Sequence, residues 1–333
     1  MSGSDAIRNG EMSELAGDLL DASAAYESAV ADADPLVIAD AQFHLGRVSW
    51  KQGRYDDAVQ HYDTARALAV QHNSQSLRAR IENGLGVIHH ARGELAQARA
   101  SYSVALELAR DETQRGRVLL NLGAIANIEG DLEAARRDYQ RSRSIFQKMG
   151  YQRGEALSLH NLGMLYADEE RWDEADESYR LCLELLEAEG DKQMIAKVLL
   201  NRSEVSCARE RFDEAVSNCD LAISISSQVG DEVERGEALR WKGRALRLMG
   251  QLPAAQKALT EAIRIATRYQ VKLLEAEASR DLGAALLGFA DIPGATKRFQ
   301  QALAAFETLG AQREIAQVRA ELGGLERRSV GPE

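Results

Sequence analysis

The stretch HNLGMLYADEERWDEADESY at 160–179 places His160 and Asn161 ahead of the carboxylates Asp168, Glu169, Glu170, Asp173, Glu174 and Asp176. A general acid–base pair or a histidine–carboxylate metal cage draws on such residue types. Three other sets invite the same question: the adjacent His89 and His90, the GLG run at 84–86, and the cysteines Cys182, Cys207 and Cys219. Each fails on spacing. Adjacent histidines point about 100° apart on a helix, so they cannot ligate from one face. No H-E-x-x-H and no G-x-x-x-x-G-K-[ST] occurs, and GLG follows no strand. The cysteines are odd in number and include no C-x-x-C pair, so neither a zinc ribbon nor a disulfide framework is suggested. No catalytic residue, metal or cofactor is therefore expected.

The elements that carry these residues are helical. Only four prolines stand against abundant Ala, Leu, Glu and Arg. A formal charge of −11 argues against a general nucleic-acid binder. The start, MSGSDAIRNGEMSEL, has neither a basic segment nor an apolar run, and no stretch reaches the roughly 18 apolar residues of a membrane span. A cytoplasmic protein without a membrane or nucleic-acid partner is the expectation.

One pattern recurs through the chain. A Leu-Gly-like pair stands at 9–10, 45–46, 85–86, 122–123, 162–163, 202–203, 242–243, 282–283 and 322–323. Thirteen residues after the first member comes alanine in all eight complete repeats: Ala22, Ala58, Ala98, Ala135, Ala175, Ala215, Ala255 and Ala295. Four further on stands Tyr26, Tyr62, Tyr102, Tyr139, Tyr179, Cys219, Leu259 or Phe299, and three beyond that a small residue. Offsets of four and three share one helix face. Each repeat thus reads as two helices: A, whose glycine admits a close neighbour, and B, whose bulky residue fills the space between them. Pro253 and Pro293 fall at B-helix starts, while Gly150, Gly190, Gly230 and Gly310 close B helices. Asp191 and Asp231 are then N-caps of the A helices that follow.

The set L-G, A, Y or F, A resembles the tetratricopeptide repeat signature, in its longer-unit variety with a period near 40 residues. It covers residues 1 to about 323. HEAT repeats match the length, but their proline and Asp-Arg signature is missing. The resemblance implies an all-α, right-handed superhelical solenoid. Its eight helix-turn-helix repeats lie near 1–35, 36–75, 76–112, 113–150, 151–190, 191–230, 231–270 and 271–310, followed by a capping helix at 311–324. Stacking gives one continuous core and so a single domain over 1–324, with 325–333 as a flexible tail. In this frame Trp172, Cys182 and Cys219 are packing positions, and the acidic cluster is a turn and a helix start.

The resemblance further implies that A helices line a concave groove which holds an extended peptide or partner helix. Its inner positions lie two and five residues before the leucine, one before it, and two and five after it. Asn121, Asn161 and Asn201 occupy the position before the leucine, beside His160. An amide both donates and accepts, so they either hold a ligand backbone or bond a neighbouring helix. Trp241 replaces the asparagine in the next repeat, and Arg240, Arg244 and Arg247 share one helix face. With Lys197 and Arg280 they either receive acidic ligand groups or are neutralised by Glu204, Glu237, Glu277 and Asp281. Arg47 and Trp50 repeat the offsets on the second A helix, where Trp50 is either a binding anchor or packs on the first repeat. The resulting expectation is a non-catalytic scaffold for another protein or peptide, one bearing acidic groups. The alternative is a regulatory sensor whose solenoid changes shape on binding a signalling peptide or small effector. Partner identity, pathway and oligomeric state are not legible in the sequence.

Overall fold

The computed structural model of the protein describes residues 2–329, and among these it has seventeen α-helices and no strand. The chain divides into two compact bodies, one ending at Asn161 and the other beginning at Leu162. The first contains α1 (Gly3–Leu15), α2 (Leu19–Val30), α3 (Pro35–Lys51), α4 (Tyr55–Gln71), α5 (Gln75–Ala91), α6 (Leu95–Leu108), α7 (Glu112–Ile128) and α8 (Leu132–Met149). The division falls within α9 (Gln152–Asp168). The second contains α10 (Trp172–Glu189), α11 (Lys192–Ala208), α12 (Phe212–Val229), α13 (Glu232–Leu248), α14 (Leu252–Tyr269), α15 (Lys272–Gly288), α16 (Ile292–Leu309) and α17 (Gln312–Ser329). Odd-numbered helices are the A helices and even-numbered ones the B helices. Helix α17 continues past residue 324, where the tail was expected to begin, and residues 330–333 of that tail lie outside the described residues.

Helix ends follow the local chemistry. Gly150, Gly190, Gly230 and Gly310 end α8, α10, α12 and α16 in the left-handed conformation, with φ of 65°, 73°, 76° and 70°. The carboxylates of Asp191 and Asp231 accept from the backbone N–H of Met194 and Glu234 and start α11 and α13. Pro253 and Pro293 sit in the first turns of α14 and α16, where no amide is needed.

Packing within each hairpin rests on the glycine–ring pair. A Cβ placed on Gly46, Gly86, Gly123 or Gly163 would stand 2.6, 2.5, 2.6 or 2.5 Å from the ring of Tyr62, Tyr102, Tyr139 or Tyr179. No side chain fits there, so the ring reaches the A-helix backbone and is buried, as in Tyr102 and Tyr179. Each such burial contributes on the order of 1.5–3 kcal/mol. Where Ser203 replaces glycine, the bulky partner shrinks to Cys219, whose thiol donates to the serine hydroxyl at 3.3 Å. All three cysteines are buried.

Candidate functional site

In the first body the A helices α3, α5 and α7 enclose a groove of about 200 Å³, lined by Phe43, Arg47, Arg80, Asn83, Gln114 and Arg117. Three guanidiniums and no carboxylate face it. Arg80 lies 4.2 Å over the Phe43 ring and pairs with Asp40 at 2.9 Å. Arg47 pairs at 2.7 Å with Glu14, which also takes Lys51 at 2.8 Å and the Tyr26 hydroxyl at 3.0 Å. Burial would raise the Glu14 pKa, but the bonds from Arg47 and Lys51 outweigh it and hold the carboxyl below its ordinary range. Arg117 has no ion pair among the described residues and lies 6.0 Å from the Tyr151 ring. The buried Gln114 Oε1 accepts no hydrogen bond.

Beside this groove His44 is 1% exposed, stacked at 4.8 Å on Tyr26 and edge-on to Phe43. Its Nε2 faces Arg80 at 3.2 Å, while Glu11 and Asp40 approach to 3.6 and 3.7 Å. Burial brings its pKa down to about 4, so the ring is neutral at pH 7.

In the second body α11, α13, α15 and α17 line a groove of about 300 Å³. Arg240, Arg244, Arg280 and Arg313 share it with Glu204, Glu277, Asp281 and Glu314. Arg240 is 8% exposed and lies 3.2 Å from Glu237, 3.5 Å from Glu277 and 3.6 Å from Asp281. Burial alone would lower its pKa, yet Glu277, Asp281 and Glu237 together raise it. Arg280 is held by Glu321 and Gln317, each at 2.8 Å. Trp241 lies between two cations, with Arg240 at 4.7 Å and Arg244 at 5.0 Å from its ring. Arg244 and Arg313 have no ion pair among the described residues. Desolvation raises the pKa of Glu204 and of Glu277, with Arg240 pulling against it in both cases.

The sequence-derived residues fall as follows. Asn121 donates its amide to Asn83 Oδ1 at 3.0 Å, and Asn201 hydrogen-bonds Tyr179 on a B helix. For these two the bonds observed are those to neighbouring helices. Asn161 and His160 are half-buried. For Arg240 and Arg280 the observed pairing is neutralisation within the protein. Lys197 is exposed and acts electrostatically on Glu234. Arg247 is half-buried, with its Nε lacking a hydrogen bond. Arg47 is tied to Glu14, and Trp50 is 37% exposed.

Sequence reasoning passed over Arg80 and Arg117, which stand five before their leucines, and His44, which stands one before. The inner offsets include all three, but the pattern runs across helices, from repeat to repeat, and not along a single one. Among the described residues no group of three or more His, Cys, Asp or Glu is placed to hold a metal ion, and no helix is long and apolar enough to cross a membrane.

A family model described as Tetratricopeptide repeat matches residues 37–111, 114–188 and 194–268. No curated protein matches in sequence. The fold is similar to that of RapI in its apo form, with a TM-score of 0.66 and 13% identity over 84% of this chain and 99% of that one. It is likewise similar to a Rap protein complexed with competence and sporulation factor, with a TM-score of 0.63 and 13% identity over 98% of both chains. Yeast Tom70 is similar with a TM-score of 0.53 and 16% identity, over 94% of this chain and 60% of that one.

Proposed function

Because the chain belongs to the tetratricopeptide repeat family, we propose that it is a non-catalytic interaction scaffold whose A helices bind a peptide segment or partner helix. The carrying observation is the first-body groove, a cavity whose lining has three guanidiniums and no carboxylate. Such a groove favours an acidic side chain or a terminal carboxylate, received by Arg117 and Arg80, with the apolar part of the ligand against Phe43. A ligand N–H that reached Gln114 Oε1 would satisfy a buried acceptor, whose lack of a partner costs about 1–3 kcal/mol. The second groove suits a ligand of mixed charge, since each added anion there meets carboxylates as well as Arg244 and Arg313. An array of acidic, neutral and basic peptides, probed with labelled protein at low and moderate salt, tests this. Acidic peptides should bind best and weaken with salt; retention of basic peptides in preference would overturn it.

One observation favours a second reading, regulation through a change of shape. A protein of similar fold, Rap, is solved in complex with competence and sporulation factor. Small-angle scattering of this chain with and without a peptide selected from the array tests that reading. An unchanged radius of gyration removes it and leaves the scaffold.

A further inference from the structure

A separate cavity of about 420 Å³ lies in the second body between α14, α15 and α16, away from the A-helix groove. Its origin is visible in the repeat register. Three residues before the leucine, four consecutive repeats have Leu119, Leu159, Leu199 and Leu239, and the next has Ser279. Twenty-three residues after the leucine, six consecutive repeats have Leu68, Leu108, Ile145, Leu185, Ile225 and Ile265, and the next has Ala305. Both small replacements line the cavity.

The preceding repeat shows what fills the same place elsewhere. Ile265 is 1% exposed there and lies against Gly236. Arg264 pairs with Glu261 at 2.7 Å, and Arg235 joins Glu261 at 3.4 Å to Glu232 at 2.6 Å, closing the space between α13 and α14. Forty residues on, Ala304 stands for Arg264, Gln301 for Glu261 and Thr308 for Arg268. The ion pair between the two helices is gone with them, and the cavity is open.

Two polar groups at this cavity stand where the preceding repeat has Leu239 and Ala258. Ser279 is 3% exposed, lines the floor, and its hydroxyl makes no hydrogen bond among the described residues. Arg298, at the wall, donates only to the Gln301 amide oxygen at 3.2 Å and meets no carboxylate within ion-pair reach among the described residues. The one acid of the lining, Glu275, is already engaged by Lys272 at 3.3 Å and by the Thr267 hydroxyl at 3.1 Å. The volume falls in the range of small-molecule sites, about 300–1,000 Å³.

We infer that this cavity is a binding site for a small amphipathic anion. Its apolar body occupies the space that leucine and isoleucine fill in the preceding repeat, against Ile263, Ala276 and Ala305. A polar atom of the ligand bonds the Ser279 hydroxyl, and its anionic group pairs with Arg298 at the wall.

The test uses 8-anilino-1-naphthalenesulfonate, an amphipathic monoanion with a fluorescence readout, titrated into the full chain. The wild type should show one saturable site. Ser279→Leu/Ala305→Ile restores the residues of the preceding repeats and should weaken binding at least about tenfold, while the melting temperature stays level or rises. Arg298→Gln should weaken it about threefold and flatten its salt dependence. Unchanged binding in the folded double variant, or no saturable binding in the wild type, would overturn the assignment. If the double variant fails to fold, Ala305→Ile alone and Arg298→Gln decide, and unchanged binding in both overturns it. Peptide binding in the A-helix grooves is independent of either result.

Discussion

In the first body the carboxylates that neutralise the inner arginines, Glu14 and Asp40, stand outside the cavity lining, so the lining is cationic. In the second body the partners Glu277 and Asp281 share the lining with the arginines, so charge is balanced inside the groove itself. Both grooves are built from the same repeat positions. An inner arginine therefore says little about what a groove attracts; what decides is where its carboxylate comes from.

The largest expected effect breaks this comparison on stability. Arg240→Ala leaves Glu237, Glu277 and Asp281 around a vacated buried cation and should destabilise the second body by about 3–5 kcal/mol. Arg117→Ala in the first body removes an exposed group without an ion pair and should cost no more than about 0.5 kcal/mol. Hydrogen exchange across α13–α15 and α5–α7 measures both, and equal losses would mean that the two grooves are held together alike.

Acid should separate the bodies next. His44 is kept neutral in the fold down to about pH 4, whereas unfolded histidine takes a proton near 6.5. A depressed histidine pKa gives stability that is complete above 6.5 and lost as pH falls toward 4, about 3 kcal/mol over that window. Glu14, also depressed, adds a loss that begins below its ordinary value of 4.5. In the second body Glu204 and Glu277 have raised values, so their protonation on acidification relieves an unfavourable charge in the fold. Exchange at pH 7 and pH 5 should show α3 loosening while α11 and α15 hold. His44→Asn, which borrows the residue of later repeats, should remove most of the difference; a variant as acid-sensitive as the wild type would refute the assignment.

A smaller effect sharpens the reading of the asparagines. Asn121→Ala should cost about 1 kcal/mol through the lost bond to Asn83, and a double-mutant cycle with Asn83→Ala should show coupling of about 0.5 kcal/mol or more. Additive losses would free Asn121 for a ligand.

Much of the fold was legible because it repeats. The Leu-Gly pair, the alanine and the ring thirteen and seventeen residues on, the closing glycines and the Asp191 and Asp231 caps all have local causes, and the structure shows each in place. The partners of the arginines were not legible. Arg280 meets Glu321, 41 residues away, and Arg240 meets Asp281, because adjacent A helices bring them within reach. Sequence gives the face of a residue, not which of several carboxylates on the next helix comes within 4 Å. The same limit hid Arg80 and Arg117, whose partner in forming a site is a cavity spanning three helices.

Calorimetric titration of one acidic peptide into the wild type, Arg80→Glu/Arg117→Glu and Arg244→Glu sets the two grooves against each other as acceptors of an acidic ligand. The first-body variant should lose at least about tenfold in affinity and Arg244→Glu less than about threefold. Equal losses, or a loss confined to Arg244→Glu, would contradict the first-body assignment.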